Sequence, residues 1–120
     1  ADIPGRIFDV LAVRSTVAQE DRESVQAAVD AHFLALQAWR REPEAQSPRL
    51  APRLGIEPAQ VTGAFAELEL PDRAANRALL QGPRPALLGP ARKLVDLMLQ
   101  ADLLPGPLSL DGLFNADFVR

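Results

Sequence analysis

The sequence predicts a mainly α chain with a single β-strand, and three observations carry that prediction. "IFDVLAVRS", residues 7–15, places Ile7, Phe8, Val10, Leu11 and Val13 in a short apolar run that reads as a strand over about 7–14. "DRESVQAAVDAHFLALQAWRREP" repeats its apolar residues at steps of three and four, the period of a helix buried on one face. Beyond it, the 11 prolines and 7 glycines fall singly between short helical patterns, where they act as punctuation.

In chain order, Ser15 to Asp21 makes a turn or a short helix. The long helix runs over about 22–41, with Asp21 or Ser24 as its cap. Its stripe is Val25, Ala28, Val29, His32, Phe33, Leu36 and Trp39; Arg40 and Arg41 suit the C-terminal dipole, and Pro43 marks the stop. A short helix over about 48–54 has Ser47 as cap, Pro48 at its first position and Gly55 as terminator, while Pro52 bends it. "EPAQVTGAFAEL" gives a helix over about 58–68 with Val61, Phe65 and Leu68 on one side. "PDRAANRALLQG" gives one over about 73–81, from Asp72 to Gly82. A last helix over about 90–102 carries Leu94, Leu97, Met98 and Ala101 on one face, with Leu104 near its end, and residues 105–120 form a turn-rich tail. The whole reads as one segment, 1–120. A strand followed only by helices leaves its own N–H and C=O groups without a ladder, and even a two-stranded hairpin is marginal in water.

Bulk composition excludes more than it assigns. Hydrophobic residues make up 48% and charged residues 24%, ordinary for a globular chain. A net charge of −3 with a single lysine argues against a nucleic-acid partner, which needs a basic stripe. No apolar run approaches the roughly 18–20 residues of a membrane span. No secretory leader pattern opens the sequence. Without cysteine there are no disulfides and no thiolate metal sites.

Catalytic chemistry finds no foothold. His32 is the one histidine and sits on the apolar stripe, which predicts a packed structural role; a metal would need ligands that do not exist. "DGLFNAD" is too sparse in carboxylates for a calcium loop. None of Ser15, Ser24, Ser47 and Ser109 lies in a Gly-x-Ser-x-Gly elbow, and no glycine spacing matches a phosphate loop. Glu67 and Glu69, and the pair Arg49 and Arg53, read as solvated edges. The expectation is no enzyme, no metal and no cofactor.

Four segments resemble a family. "DVLAVR" (9–14), "AHFLALQAWRREP" (31–43), "LGIEPAQV" (54–61), and "NRALL" (76–80) followed by "LVDLMLQADLL" (94–104) are similar, in order and spacing, to the C-terminal part of periplasmic solute-binding proteins of the nitrate, sulfonate and taurine class that feed ABC importers. Pro48 and Pro52 depart from the smoother helix of that family. The resemblance covers the whole chain but about the last third of the family's pattern. It implies the C-terminal segment of a type 2 periplasmic-binding-protein-like α/β fold, whose strand pairs with residues encoded upstream.

It also implies a periplasmic or extracytoplasmic location. The implied partners are an ABC permease and a small anion or sulfonate-like solute held by the full-length protein. Most ligand contacts of the family lie earlier in its sequence. Arg6, Asp9 and Arg14 are therefore the ligand-binding candidates, being nearest the implied crossover, and surface or hinge ion pairs are the plainer reading of all three. A second expectation is a stand-alone helical interaction or sensor module that dimerises through its orphan strand, residues 7–14.

Overall fold

Asp21 separates two helices with one residue. Its backbone (φ −127°, ψ 52°) leaves the helical region, its N–H donates to the Val17 carbonyl, and its carboxylate accepts from the Ser24 N–H at 3.3 Å. The same residue thus closes α1 (Ser15–Glu20) and caps α2 (Arg22–Arg41). In this computed structural model residues 9–120 are described. They form six helices, the others being α3 (Pro43–Leu54), α4 (Pro58–Phe65), α5 (Arg73–Leu80) and α6 (Leu88–Gln100). None is long and apolar enough to cross a membrane.

No strand exists among the described residues, so the α/β assignment is corrected: the fold is helical. Ile7 and Phe8 lie outside the described residues. Residues 9–14 are irregular and exposed, with Val10 at 72% and Leu11 at 67% of full exposure. The physical reason is the one that makes a lone strand untenable. A strand exists through its ladder, and every other described element is a helix or a turn.

The chain divides into two compact units, residues 12–72 and residues 73–120 with 9–11. The 12–72 unit holds a core. Val25, Val29, Phe33 and Leu36, at steps of four, four and three, are buried along α2; Ala51 of α3 and Val61 of α4 complete the core. Helix α3 packs mainly on α4, and α2 on α1 and α3. At the far end of α2, Trp39 and Phe65 meet with ring centroids 4.9 Å apart, tilted by 45°. Arg40 donates to the Leu70 carbonyl and stands 3.9 Å from the Asp72 carboxylate, tying down the chain that leaves this unit. The pair is half exposed, so its ionic part contributes little.

Pro43 does not merely stop α2; it begins α3 at the first-turn position where a missing N–H costs nothing. The third helix therefore starts five residues before the expected Pro48. Ser47 is consequently not a cap. It is buried inside α3, and its hydroxyl donates back to the Pro43 carbonyl at 2.8 Å. Pro48 and Pro52 both lie within α3, each deleting one helical N–H, yet the helix persists because Ala51 is buried between its neighbours.

Gly55 ends α3 in the left-handed conformation (φ 67°, ψ 30°), with its N–H and that of Ile56 both donating to the Ala51 carbonyl. A Cβ there would meet no atom within 4 Å, so only backbone conformation penalises a substitution. Gly55→Ala is expected to destabilise the 12–72 unit by about 1 kcal/mol, measured as a lower urea midpoint at unchanged slope. A loss below the error of the extrapolation would mean this turn is not held in the folded state.

The unit containing 73–120 is built differently. Helices α5 and α6 contain no buried residue. Its buried side chains are Phe118 and Val119, both in the tail. Along α6 the half-buried positions are Leu88, Ala91, Val95, Met98 and Leu99, whereas Leu94, Leu97 and Ala101 are exposed. The expected face of α6 is thus rotated away from the one that packs. Helix α6 ends on Asp102 in the left-handed region (φ 54°), a place usually taken by glycine that a short acidic side chain tolerates.

Candidate functional site

Of the ligand-binding candidates named from the sequence, Asp9 and Arg14 lie among the described residues. Arg6 lies outside the described residues. Asp9 is exposed on irregular backbone. Arg14 is exposed at the N-terminal boundary of α1, where its extended backbone (φ −61°, ψ 139°) makes no side-chain cap. His32 is exposed rather than packed: α2 turns it one step off the buried stripe, and its ring meets the edge of Phe33 at 5.1 Å. Glu67, Glu69, Arg49 and Arg53 are all exposed. Among the described residues no three His, Cys, Asp or Glu side chains are grouped as a metal would require.

Three of the four serines take part in local hydrogen bonds. Ser24 supplies the N–H that Asp21 accepts, Ser47 bonds back within α3, and the Ser109 hydroxyl accepts from the Asp111 N–H at 3.2 Å.

What the structure does provide is an open groove of about 810 Å³ in the 73–120 unit. Turn residues 82–85 form one end. One long side is a face of α6 on which Leu88, Arg92, Val95 and Leu99 recur at helical spacing, and the other is the tail from Pro107 to Phe114. Its lining mixes apolar and polar side chains. Arg84 and Arg92 bring positive charge, while Asp96 and Asp111 on the same lining bring negative charge, so the groove has no strong net sign. Such a surface suits an amphipathic occupant better than a bare anion. Sequence reasoning missed it because the groove exists only once residues 107–114 lie beside α6.

A smaller recess of about 350 Å³ between α3 and α4 is bordered by Glu44, Ser47, Pro58, Ala59 and Thr62. Its most buried polar group, the Ser47 hydroxyl, is already engaged by Pro43, which leaves little chemistry there.

Comparison with protein-family models, with curated proteins and with solved structures finds no match to this chain.

Proposed function

We propose that this chain serves as the C-terminal part of the solute-binding component of an ABC importer for small anions or nitrate-, sulfonate- or taurine-like solutes. The observation that carries the reading is a set of large apolar side chains left open among the described residues. Exposed large apolar side chains include Val10, Leu11, Leu34, Leu94, Leu97 and Leu103. Surface of that kind belongs to protein that works packed against further protein. The four family-like segments supply the direction of the proposal.

In this reading residues 9–120 contribute packing surface rather than the solute's contacts, and the permease and the solute are the partners. The test is titration calorimetry with taurine, nitrate, methanesulfonate and a pyrimidine. It is run on the 120-residue chain and on the polypeptide as its gene encodes it. Saturable binding of one of these solutes by the encoded polypeptide, and none by the 120 residues alone, is the expected result. Tight binding by the 120-residue chain would overturn the proposal that contacts lie elsewhere. No binding by either would overturn the solute-binding role.

A second reading is favoured by one observation: α5 and α6 fold as helices yet bury no residue. A helical interaction module would hold such helices ready for a partner chain. Light scattering over a concentration series separates the two. Reversible self-association without solute binding supports the module; a monomer at every concentration removes its dimeric form.

A further inference from the structure

The tail of the 73–120 unit ends in a set of carbonyl groups that no helix or ladder satisfies, and α5 meets them with arginine. Arg73 and Arg77 stand one turn apart on α5. The Arg73 guanidinium donates to the Phe118 carbonyl at 3.3 Å and reaches the Arg120 carbonyl at 3.5 Å, while Arg77 Nε donates to the Val119 carbonyl at 3.0 Å. Three successive carbonyls of an irregular segment are thus engaged by two planar forks, a task suited to guanidinium because its donors diverge in a fixed plane.

The segment is also organised from within. Asn115 Oδ1 accepts from the Asp117 N–H at 2.7 Å, the Val119 N–H donates to Ala116, and Arg120 pairs with the Asp117 carboxylate at 3.2 Å. Phe118 and Val119, each 7% exposed, are the buried side chains of this unit. The residues just before this knob, Pro107 to Phe114, are the wall of the groove that faces α6.

We infer that residues 115–120 are a clasp. Docked on Arg73 and Arg77, they hold residues 107–114 alongside α6 and thereby make the groove. Released, they withdraw that wall and uncover the Leu88, Val95 and Leu99 face of α6. Opening costs the burial of Phe118 and Val119 and the arginine bonds, and neither α5 nor α6 has a buried residue of its own. The inference stands apart from the solute-binding proposal and needs no solute to be tested.

The experiment is amide hydrogen exchange on the full 120-residue chain, comparing the wild type with the double variant R73A/R77A, the pair R73K/R77K, and the milder Val119→Ala. The Ala pair is expected to exchange about tenfold or more faster across residues 88–100 and 107–114, with residues 22–41 unchanged. The Lys pair, keeping charge but losing the fork, is expected to fall between, and Val119→Ala to accelerate the same two stretches to a smaller degree. Unchanged exchange at 88–100 in the Ala pair overturns the clasp. So does an equal acceleration at 22–41 in both the Ala pair and Val119→Ala, which would mean general loss of stability.

Discussion

Phe33→Ala is expected to remove about 3–5 kcal/mol from the stability of the 12–72 unit, enough to unfold much of it at room temperature. Phe33 is 6% exposed and stands between Val29 and Leu36 on the one stripe of α2 that is buried. Truncation to a methyl group takes away the largest buried side chain of the stripe and leaves a void that the neighbouring valines are too short to fill. A domain of ordinary size has about 5–15 kcal/mol in total, and one this small sits near the bottom of that range. Far-ultraviolet circular dichroism against urea checks it, with His32→Ala as the internal control. His32 is adjacent in sequence but exposed, so its truncation is expected to stay within about 0.5 kcal/mol. Equal losses at 32 and 33 would mean that the buried stripe has been assigned to the wrong face.

Val61→Asp is expected to be as severe, with a signature of its own. Val61 has 0% exposure and is the largest fully buried side chain among the described residues. A carboxylate there has neither water nor a cation, and burying it costs several kcal/mol, about 3 or more. Because burial disfavours the charged form, the folded-state pKa of the new aspartate rises above its unfolded value near 3.9. Between those two values the folded state binds more protons than the unfolded state, so stability falls as pH rises. The variant should therefore be least destabilised below about pH 4 and progressively weaker above it. Val61→Ala, which loses only methyl groups, should cost about 2 kcal/mol and show no such slope. A pH-independent loss in the Asp variant would show that position 61 opens to water.

The elements differ in how much of them could be read from residues alone. The bounds of α2 were legible because its signals are local: Asp21 caps it, the four-four-three spacing of Val25, Val29, Phe33 and Leu36 sets its face, and Arg40 and Arg41 sit in its last turn. Gly55 as the end of α3 was legible for the same reason, since a left-handed turn favours glycine wherever it occurs. The start of α3 was not. Pro43 reads equally well as a stop for one helix and a first residue for the next, and the choice was made by the burial of Ser47 and Ala51.

Two further misreadings share one cause. On α2 the apolar stripe was drawn wide enough to include His32, and on α6 it was drawn through Leu94 and Leu97, all of which face solvent. Leucine occurs on more than one side of α6, so periodicity offers two acceptable faces and cannot rank them. The neighbour does the ranking: the tail segment 107–114 lies against Leu88, Val95 and Leu99. The groove was not legible for a related reason: it draws on residues 82–99 and 107–114, which no short motif connects.

By itself the sequence determined the bounds of α2 and the end of α3, because caps, glycine and dipole-matched charges act over a single turn and need no distant partner. It determined as well that the chain carries no cysteine and a single histidine. Tertiary structure alone decided which face of each helix is covered, where the groove lies, and that the apolar run at residues 9–14 stays irregular among the described residues. The physical reason is common to all three. A helix closes its hydrogen bonds within four residues, whereas a covered face, a groove wall and a strand each require a second piece of chain at a definite place.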